Sequence, residues 1–203
     1  MQKQAVLDAD IVIMILSNTS KMLEYDGIKT FLRIFSSLEI TPVIHSFVYN
    51  KELSKYKNQL DNLVSTGQII VDDGIDDSFE LNLYVPEFKH LYKEIFSCPF
   101  PSDAVFVQQK EGSMGEVHSI LLARKRGIPL ICSNDSSVSY YIKGRNLNSI
   151  INKVNYKLEI KNMVDLLFDM AKKGCQLGKK EIHMLLAQNS GWENDYNTRV
   201  KKI

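Results

Sequence analysis

Short apolar runs alternate with longer amphipathic stretches along the chain. The runs have the length of buried strands, and they fall at residues 5–7, 43–44, 69–71 and 128–132. Between them, apolar residues recur every three to four positions, as on the buried face of a helix. Strands that alternate with helices predict an α/β fold with a mainly parallel central sheet.

The predicted helices share this spacing, and several end at a glycine. They cover residues 11–16, 25–38, 47–67, 115–126, 138–142, 162–173 and 179–188. Residues 79–100 show helical spacing in their second half, and Pro99 and Pro101 close it. Two segments stay open, because residues 104–107 fit a helix start or a strand and the apolar residues within 150–160 fit either.

No internal repeat or low-complexity linker divides the chain. We therefore predict one domain over residues 1–174, followed by a carboxyl-terminal helical extension over residues 175–203. Trp192 and Tyr196 add apolar surface to the extension. It is therefore expected to pack on the same domain or on a partner, which includes a second copy of the chain in a homodimer.

Composition narrows the function only slightly. The chain has 203 residues, of which 44% are hydrophobic and 24% charged, as in ordinary globular proteins. Its net charge of +1 gives no global signal for nucleic acid, so any basic groove must be local. Three scattered cysteines without metal-type spacing fit a reducing compartment, and the longest apolar run, residues 11–16, is too short to span a bilayer. We expect a cytoplasmic protein that does not bind membranes.

Three acidic residues stand at the ends of predicted elements. Asp8 follows the first strand, Asp135 follows the strand at 128–132, and Glu116 begins the helix before that strand. If the two strands are neighbours, these carboxylates meet at one edge of the sheet, where ligands of α/β proteins usually bind. Oxygen ligands without cysteine or paired histidine predict a Mg²⁺ or Mn²⁺ site. Such ions activate water and neutralise charge on phosphate oxygens.

This arrangement resembles the PIN-domain family of metal-dependent nucleases, which includes the toxin ribonucleases of toxin–antitoxin pairs. The resemblance covers about residues 5–170. It rests on Val-Leu-Asp-Ala-Asp at 6–10, on Gly115-Glu116 at the start of a helix, and on Leu-Ile-Cys-Ser-Asn-Asp at 130–135. It implies an α/β/α sandwich, an acidic metal site, and endonucleolytic hydrolysis of single-stranded RNA. An antitoxin is then one expected protein partner.

The resemblance also assigns roles to individual residues. Asp8, Glu116 and Asp135 match the acidic positions of the family and are the implied catalytic residues and metal ligands, and Glu52 matches a fourth acid that assists them. Asp10 stands where the family often has Asn or Ser, and it would add a ligand or only a helix cap. The expected RNA contacts follow the last strand and are Ser133, Asn134, Lys143 and Arg145.

Ordinary structural roles compete with these assignments. An acid after a strand, in a first helical turn or in a Ser-Asn-Asp-Ser turn also caps a helix or favours its dipole. Basic residues 124–126 at a helix end favour the dipole as readily as a phosphate. His118 is expected to be a surface or packing residue, and the acidic run 72–77 a solvated loop.

Two other functions fit part of the pattern. Asp8 and Asp10 would serve as nucleophile and acid–base in a haloacid-dehalogenase-type phosphatase, although Ile11-Val12 replaces the Gly-Thr that commonly follows that pair. Alternatively, the chain is a PIN-like module that binds RNA or a protein without cleaving it. A Mg²⁺- or Mn²⁺-dependent ribonuclease is the function that the whole set of acids favours.

Overall fold

The computed structural model describes residues 3–17, 25–100, 105, 114–145, 148–151, 154–187 and 191–203. Within these ranges, the side chains of residues 144–145, 148–151 and 154–156 are not described.

A five-stranded sheet lies at the centre of the fold, and all its strand pairs are parallel. Its strands, in chain order, are β1 (Lys3–Leu7), β2 (Ile40–His45), β3 (Ile70–Asp72), β4 (Leu130–Cys132) and β7 (Glu159–Lys161). The spatial order is β3-β2-β1-β4-β7, which puts the first strand in the middle. This confirms the predicted α/β class with a parallel sheet.

Helices connect these strands, and one antiparallel hairpin precedes β7. The hairpin consists of β5 (Asn148–Ile151) and β6 (Val154–Lys157). The described helices are α1 (Ala9–Ser17), α2 (Gly27–Leu38), α3 (Lys57–Ser65), α4 (Ser78–Phe96), α5 (Met114–Arg126), α6 (Ser136–Arg145), α7 (Met163–Lys172), α8 (Lys179–Leu186) and α9 (Trp192–Val200). None of them is both long and apolar enough to cross a membrane.

Both faces of the sheet are buried. Each strand contributes to both of them, because successive side chains point to opposite sides. In β1, Ala5 and Leu7 belong to a core with α1, α2 and α7, whereas Val6 belongs to a second core with α4 and α5. In β4, Cys132 and Ile131 divide in the same way. The result is a sheet between two helical layers, the predicted α/β/α sandwich.

The single helix predicted for residues 47–67 is wrong. The segment contains a π-helical turn (Val48–Glu52), a 3₁₀ turn (Ser54–Tyr56) and only then α3. The Leu53 N–H bonds to Val48 O at 2.9 Å, which adds one residue to that turn. Leu53 is fully buried as a result, and Glu52 lies at the edge of the sheet.

Other parts of the prediction were incomplete. Helix α4 begins at Ser78, earlier than its apolar spacing suggested, because Asp77 caps it by accepting a bond from Glu80 N at 2.8 Å. The undecided residues 150–160 supply the hairpin and β7. The open segment at 104–107 is described only at Val105, and the rest of it lies outside the described residues.

The carboxyl-terminal extension packs on the helical layer that holds α2 and α7. Ile182, Leu185 and Leu186 of α8 and Tyr196 of α9 are buried in the same core as those helices. Arg199 of α9 pairs with Asp165 of α7 at 2.9 Å. The boundary at residue 174 stays a prediction, since one apolar core continues across it.

Candidate functional site

Strands β1 and β4 are neighbours, which was the condition for the predicted acids to meet. Leu7 lies opposite Cys132, and the Asp8 N–H donates to Cys132 O at 3.0 Å. The residues that follow the two strands therefore lie side by side at the carboxyl-terminal edge of the sheet. Helices begin there as well, so side chains from several elements reach the same place.

Asp8 is held firmly at this edge. Its side chain is only 3% exposed, and its two oxygens accept from Ala9 N at 2.8 Å and from Ser133 Oγ at 2.9 Å. Burial raises the pKa of Asp8 well above its usual value, and the charges of Asp10, Glu116 and Glu52 raise it further. The carboxylate is thus fixed in position but costly to ionise.

Asp10 lies in the first turn of α1 and faces the same edge. Its Oδ2 accepts from the backbone N–H of Asn134 at 2.6 Å. Its Oδ1 is buried and has no hydrogen-bond partner among the described residues. Burial raises the pKa of Asp10 to about 6, despite the bond from Asn134. A buried carboxylate oxygen without a donor is one that a cation would satisfy.

Glu52 reaches the site from the π-helical turn, through space left by a glycine. The Gly115 N–H at the start of α5 donates to Glu52 Oε1 at 3.2 Å. A Cβ at residue 115 would lie 2.2 Å from Glu52 Oε2, so only glycine permits this approach. Burial raises the pKa of Glu52 above its usual value. Gly115 belongs to the Gly115-Glu116 motif of the sequence, but the motif alone does not predict this contact with Glu52.

Glu116 and Asp135 complete the group. Burial raises the pKa of Glu116 to about 7, and the negative charges of Glu52, Asp135 and Asp10 contribute. Asp135 Oδ1 accepts from Ser137 N at 2.5 Å and Val138 N at 3.2 Å, so it caps α6. Asp135 therefore caps α6, as expected of such a turn, and its charge also acts on Glu116.

We call these five residues the edge acids. They are Asp8, Asp10, Glu52, Glu116 and Asp135, and, in addition to burial, the negative charges of the other members raise the pKa of Asp8, Asp10 and Glu116. Among the described residues, no lysine, arginine or histidine forms an ion pair with any of them. In the same part of the chain, no group of three or more Asp, Glu, His or Cys side chains is arranged so that it could hold a metal ion.

The edge acids therefore fit a hard cation in their chemistry but not in their present side-chain conformations. All the candidate ligand atoms are carboxylate oxygens, and Asp10 offers a buried oxygen without a hydrogen-bond partner among the described residues. However, Asp8, Asp10, Glu52 and Asp135 each accept hydrogen bonds from the protein. Three of them could bind one ion only after side chains turn toward a common point.

The predicted RNA contacts lie in different surroundings. Ser133 is buried, and its hydroxyl bonds to Asp8, so it positions the acid. Asn134 Oδ1 accepts from Met163 N at 3.0 Å, which fixes that amide to α7. Lys143 is exposed and lines a groove beside Asp135. The side chain of Arg145 lies outside the described part of the structure.

His118 has the packing role that was one of its two expected roles. It is fully buried in α5, its ring stacks on His45 with centroids 4.4 Å apart, and its Nε2 lies 2.8 Å from Val105 O. Tyr84 Oη bonds to His118 Nδ1 at 2.5 Å. Burial lowers the pKa of His45 to about 4 and that of His118 further, so both rings are neutral at physiological pH.

A second acidic region is neutralised by an arginine. The guanidinium of Arg126 donates to Asp72 at 2.7 and 3.0 Å and to Asp76 at 2.6 Å through each of two nitrogens. Burial acts to raise the pKa of Asp72, but the bonds from Arg126, the bond from the Gly74 N–H and the charge of Arg126 together outweigh it and lower that pKa. We call these three residues the Arg126 cluster. The run 72–77 is therefore not simply the solvated loop expected from sequence.

Comparison of the chain with protein-family models, with characterised proteins and with solved structures finds no match. The resemblance to PIN domains therefore rests on the motifs of the sequence. The edge acids are the structural feature that bears on function.

Proposed function

We propose that this protein is a Mg²⁺- or Mn²⁺-dependent endoribonuclease of the PIN type that hydrolyses single-stranded RNA. The observation that supports this most is the group of edge acids. Five carboxylates share one edge of the sheet, and burial and mutual repulsion raise the pKa of four of them, Asp8, Asp10, Glu52 and Glu116. Strongly perturbed acids at such a position are typical of functional sites.

A divalent cation would remove the cost of this arrangement. Like charges in a partly buried site destabilise the ionised forms, whereas a cation favours them. Carboxylate oxygens are the ligands that Mg²⁺ and Mn²⁺ prefer. The same ions assist phosphodiester hydrolysis, because they activate water and stabilise negative charge on phosphate oxygens.

The residues divide into ligands and positioning groups. Asp8, Glu116 and Asp135 would hold the ion, with Glu52 assisting and Asp10 available through its free oxygen. The Ser133 hydroxyl orients Asp8 through the bond of 2.9 Å, which fixes one ligand before the ion arrives. Gly115 leaves the space in which the Glu52 carboxylate lies.

The phosphatase alternative receives less support from the geometry. A nucleophilic aspartate needs an oxygen that an incoming phosphate can approach. Asp8 is 3% exposed and both of its oxygens accept hydrogen bonds from the protein. The non-catalytic module stays the main competitor, and cleavage separates it from the enzyme. An antitoxin partner and a cytoplasmic location stay predictions from the sequence.

The test is cleavage of an end-labelled single-stranded RNA by the purified full chain. We expect cleavage with Mn²⁺ or Mg²⁺ and none in excess chelator. A circular RNA of the same sequence should also be cut, because an endonuclease needs no free end. The E116Q variant should lose at least about a hundredfold in rate, since the ion contributes several kcal/mol to transition-state stabilisation.

A matched control is E87Q on α4, where Glu87 forms a surface pair with Lys125 at 3.3 Å. Such pairs contribute little to stability, so this variant should cleave at the wild-type rate. Cleavage that continues undiminished in excess chelator would refute the metal-dependent mechanism. If the wild type binds RNA but never cuts it with either metal, the chain is a binding module.

A further inference from the structure

An open groove runs from the edge acids toward the carboxyl-terminal extension. Its volume is about 660 Å³, and one end is formed by Ser133, Asn134 and Asp135. Helix α6 contributes Tyr140 and Lys143 to its wall. The extension contributes Trp192, the first residue of α9, so the groove is complete only when that extension is in place.

Two aromatic side chains line this groove. Tyr140 is 83% exposed, which is unusual for a ring of its size. Trp192 is half-buried, since one part of its indole packs against the core and another part lines the groove. Exposed aromatic faces in an open groove can stack on nucleic-acid bases, and each such contact contributes substantially to single-strand binding.

The groove continues into a second depression that is basic. This depression has a volume of about 770 Å³ and shares Lys143 with the first. Five cationic and three acidic side chains line it, which leaves an excess of two positive charges. Among the described residues, no carboxylate forms an ion pair with Lys143 or Lys157, and both lysines are exposed. Both ammonium groups are therefore free to contact phosphates.

We propose that this groove binds a single RNA strand and leads it to the edge acids. Bases stack on Tyr140 and Trp192, while Lys143 and Lys157 contact the phosphates. The inference rests on the proposed ribonuclease function and adds the substrate path to it. A single strand is required, because stacking on two separate side chains needs bases that are not already paired and stacked within a duplex.

The surroundings of another exposed aromatic show why Tyr140 differs. Phe79 in α4 is 68% exposed, but it lies between the acidic residues Asp77 and Glu80 in sequence. A phosphate backbone would be repelled there. Tyr140 instead lies three residues from the unpaired Lys143 on the same helix. Of these two residues, only Tyr140 combines an exposed ring with a nearby positive charge.

The chain carries its own reporter for the test, since Trp192 is the only tryptophan in the sequence. Its fluorescence is followed while an oligouridine RNA is added in excess chelator, so that binding is measured without cleavage. We expect quenching on binding, and weaker binding as salt rises, because phosphate contacts release counterions. A duplex RNA of the same length should bind more weakly and quench little.

Variants then test each part of the groove. Y140A and K143A should weaken binding of the single strand, Y140A by about tenfold. F79A and K29A are the matched controls, since they remove an exposed aromatic and an exposed lysine elsewhere and should bind as the wild type does. Melting temperatures confirm that each variant is folded; the high exposure of Tyr140 makes its replacement benign.

The outcomes separate this inference from the proposed function. Quenching and weaker binding by Y140A support the groove even if no cleavage is found with Mn²⁺, in which case only the nuclease proposal fails. If RNA is cleaved or bound while Trp192 fluorescence stays constant and Y140A and K143A bind normally, the strand follows another path and the inference is wrong. Equal quenching by duplex RNA would overturn the single-strand specificity.

Discussion

The edge acids and the Arg126 cluster both gather carboxylates, yet their electrostatic environments are opposite. In the Arg126 cluster, one guanidinium bonds to both carboxylates and lowers the pKa of Asp72 and Asp76. At the edge acids, burial raises the pKa of Asp10 to about 6 and that of Glu116 to about 7, and no described cation pairs with either. One group is neutralised by the protein, and the other is left charged or protonated.

This difference shows that the density of acids in the sequence is a poor guide to which carboxylates the fold leaves without a cationic partner. Residues 72–77 contain four aspartates, but α5 brings Arg126 to them. The edge acids are scattered from residue 8 to residue 135, and their shared environment exists only in the folded chain. An arginine that satisfies carboxylates removes the reason for a metal to bind there.

The largest expected effect is stabilisation of the protein by Mn²⁺, which should depend on the edge acids and not on the Arg126 cluster. At a hundred times its dissociation constant, Mn²⁺ should stabilise the wild type by about 2.7 kcal/mol, because it binds only the folded state. D72N, in the Arg126 cluster, should keep this stabilisation. E116Q should lose most of it. Thermal unfolding with Mn²⁺ and with chelator measures the shift, and equal shifts in E116Q and wild type would show that Glu116 is not a ligand.

Removing one charge from each group should change the metal-free stability in opposite directions. At pH 8, E116Q should raise the free energy of unfolding by about 2 kcal/mol, because it removes a partly buried carboxylate whose pKa is raised. D72N should lower it by about 1 kcal/mol, because Asp72 accepts two bonds from Arg126. Urea unfolding in chelator measures both. At pH 4 the gain in E116Q should vanish, since Glu116 is then neutral in the wild type.

The pH dependence of the metal-free protein gives a smaller effect. His45 and His118 also titrate in the unfolded state between pH 6.5 and pH 8, but E116Q keeps both histidines, so their contribution cancels when E116Q is compared with the wild type. Glu116 has a folded pKa of about 7, above its unfolded value, so the folded state binds more protons there. The stability of the wild type relative to E116Q should therefore fall by about 1 kcal/mol between pH 6.5 and pH 8.

Below pH 6.5 the histidines act in the other direction. Their folded pKa values lie below the unfolded value, so protonation of the unfolded chain lowers stability as pH falls. The acids whose folded-state pKa is raised oppose this trend. A series of urea unfolding curves in chelator should show that the unfolding free energy of the wild type minus that of E116Q falls above pH 6.5. A difference between the wild type and E116Q that stays constant up to pH 8 would contradict the raised pKa of Glu116.

The smallest effect concerns the glycine beside Glu52. Alanine favours a helix over glycine by about 0.5–1 kcal/mol, so G115A should stabilise α5 in isolation. In the protein, its Cβ displaces the Glu52 carboxylate, and we expect the two effects to cancel to within about 1 kcal/mol. In the background of E52A the same change should be stabilising. Urea unfolding of the four proteins gives the coupling, and a coupling of zero would mean that the two residues do not share this space.

The sequence predicted those edge acids whose positions follow from local hydrophobic patterns. Asp8 and Asp135 follow short apolar runs and Glu116 begins a helix, so their elements could be recognised from local pattern. The pairing of neighbouring strands could not be recognised in this way, because the register of parallel strands is determined by tertiary packing. That register alone brings Asn134 N to Asp10, so the sequence could not distinguish a ligand from a cap at Asp10.

Glu52 shows where periodicity fails in detail. Apolar spacing over residues 47–67 indicated one continuous helix, but the π-helical turn inserts a residue and rotates the positions that follow. The approach of Glu52 to Gly115 then depends on a missing side chain 63 residues away. The extension was recognised as helical in α8, whereas α9 is too polar to show a clear apolar stripe.

The central position of β1 has a consequence for the order in which the site is made. Asp8 leaves the ribosome early, but its partner Ser133 lies 125 residues later in the chain. Synthesis proceeds from the amino terminus, so the edge acids cannot come together until residue 135 has been made. The groove needs Trp192 and is completed later still. A nascent chain therefore carries its acids apart, and the groove beside them is complete only after residue 192 has been made.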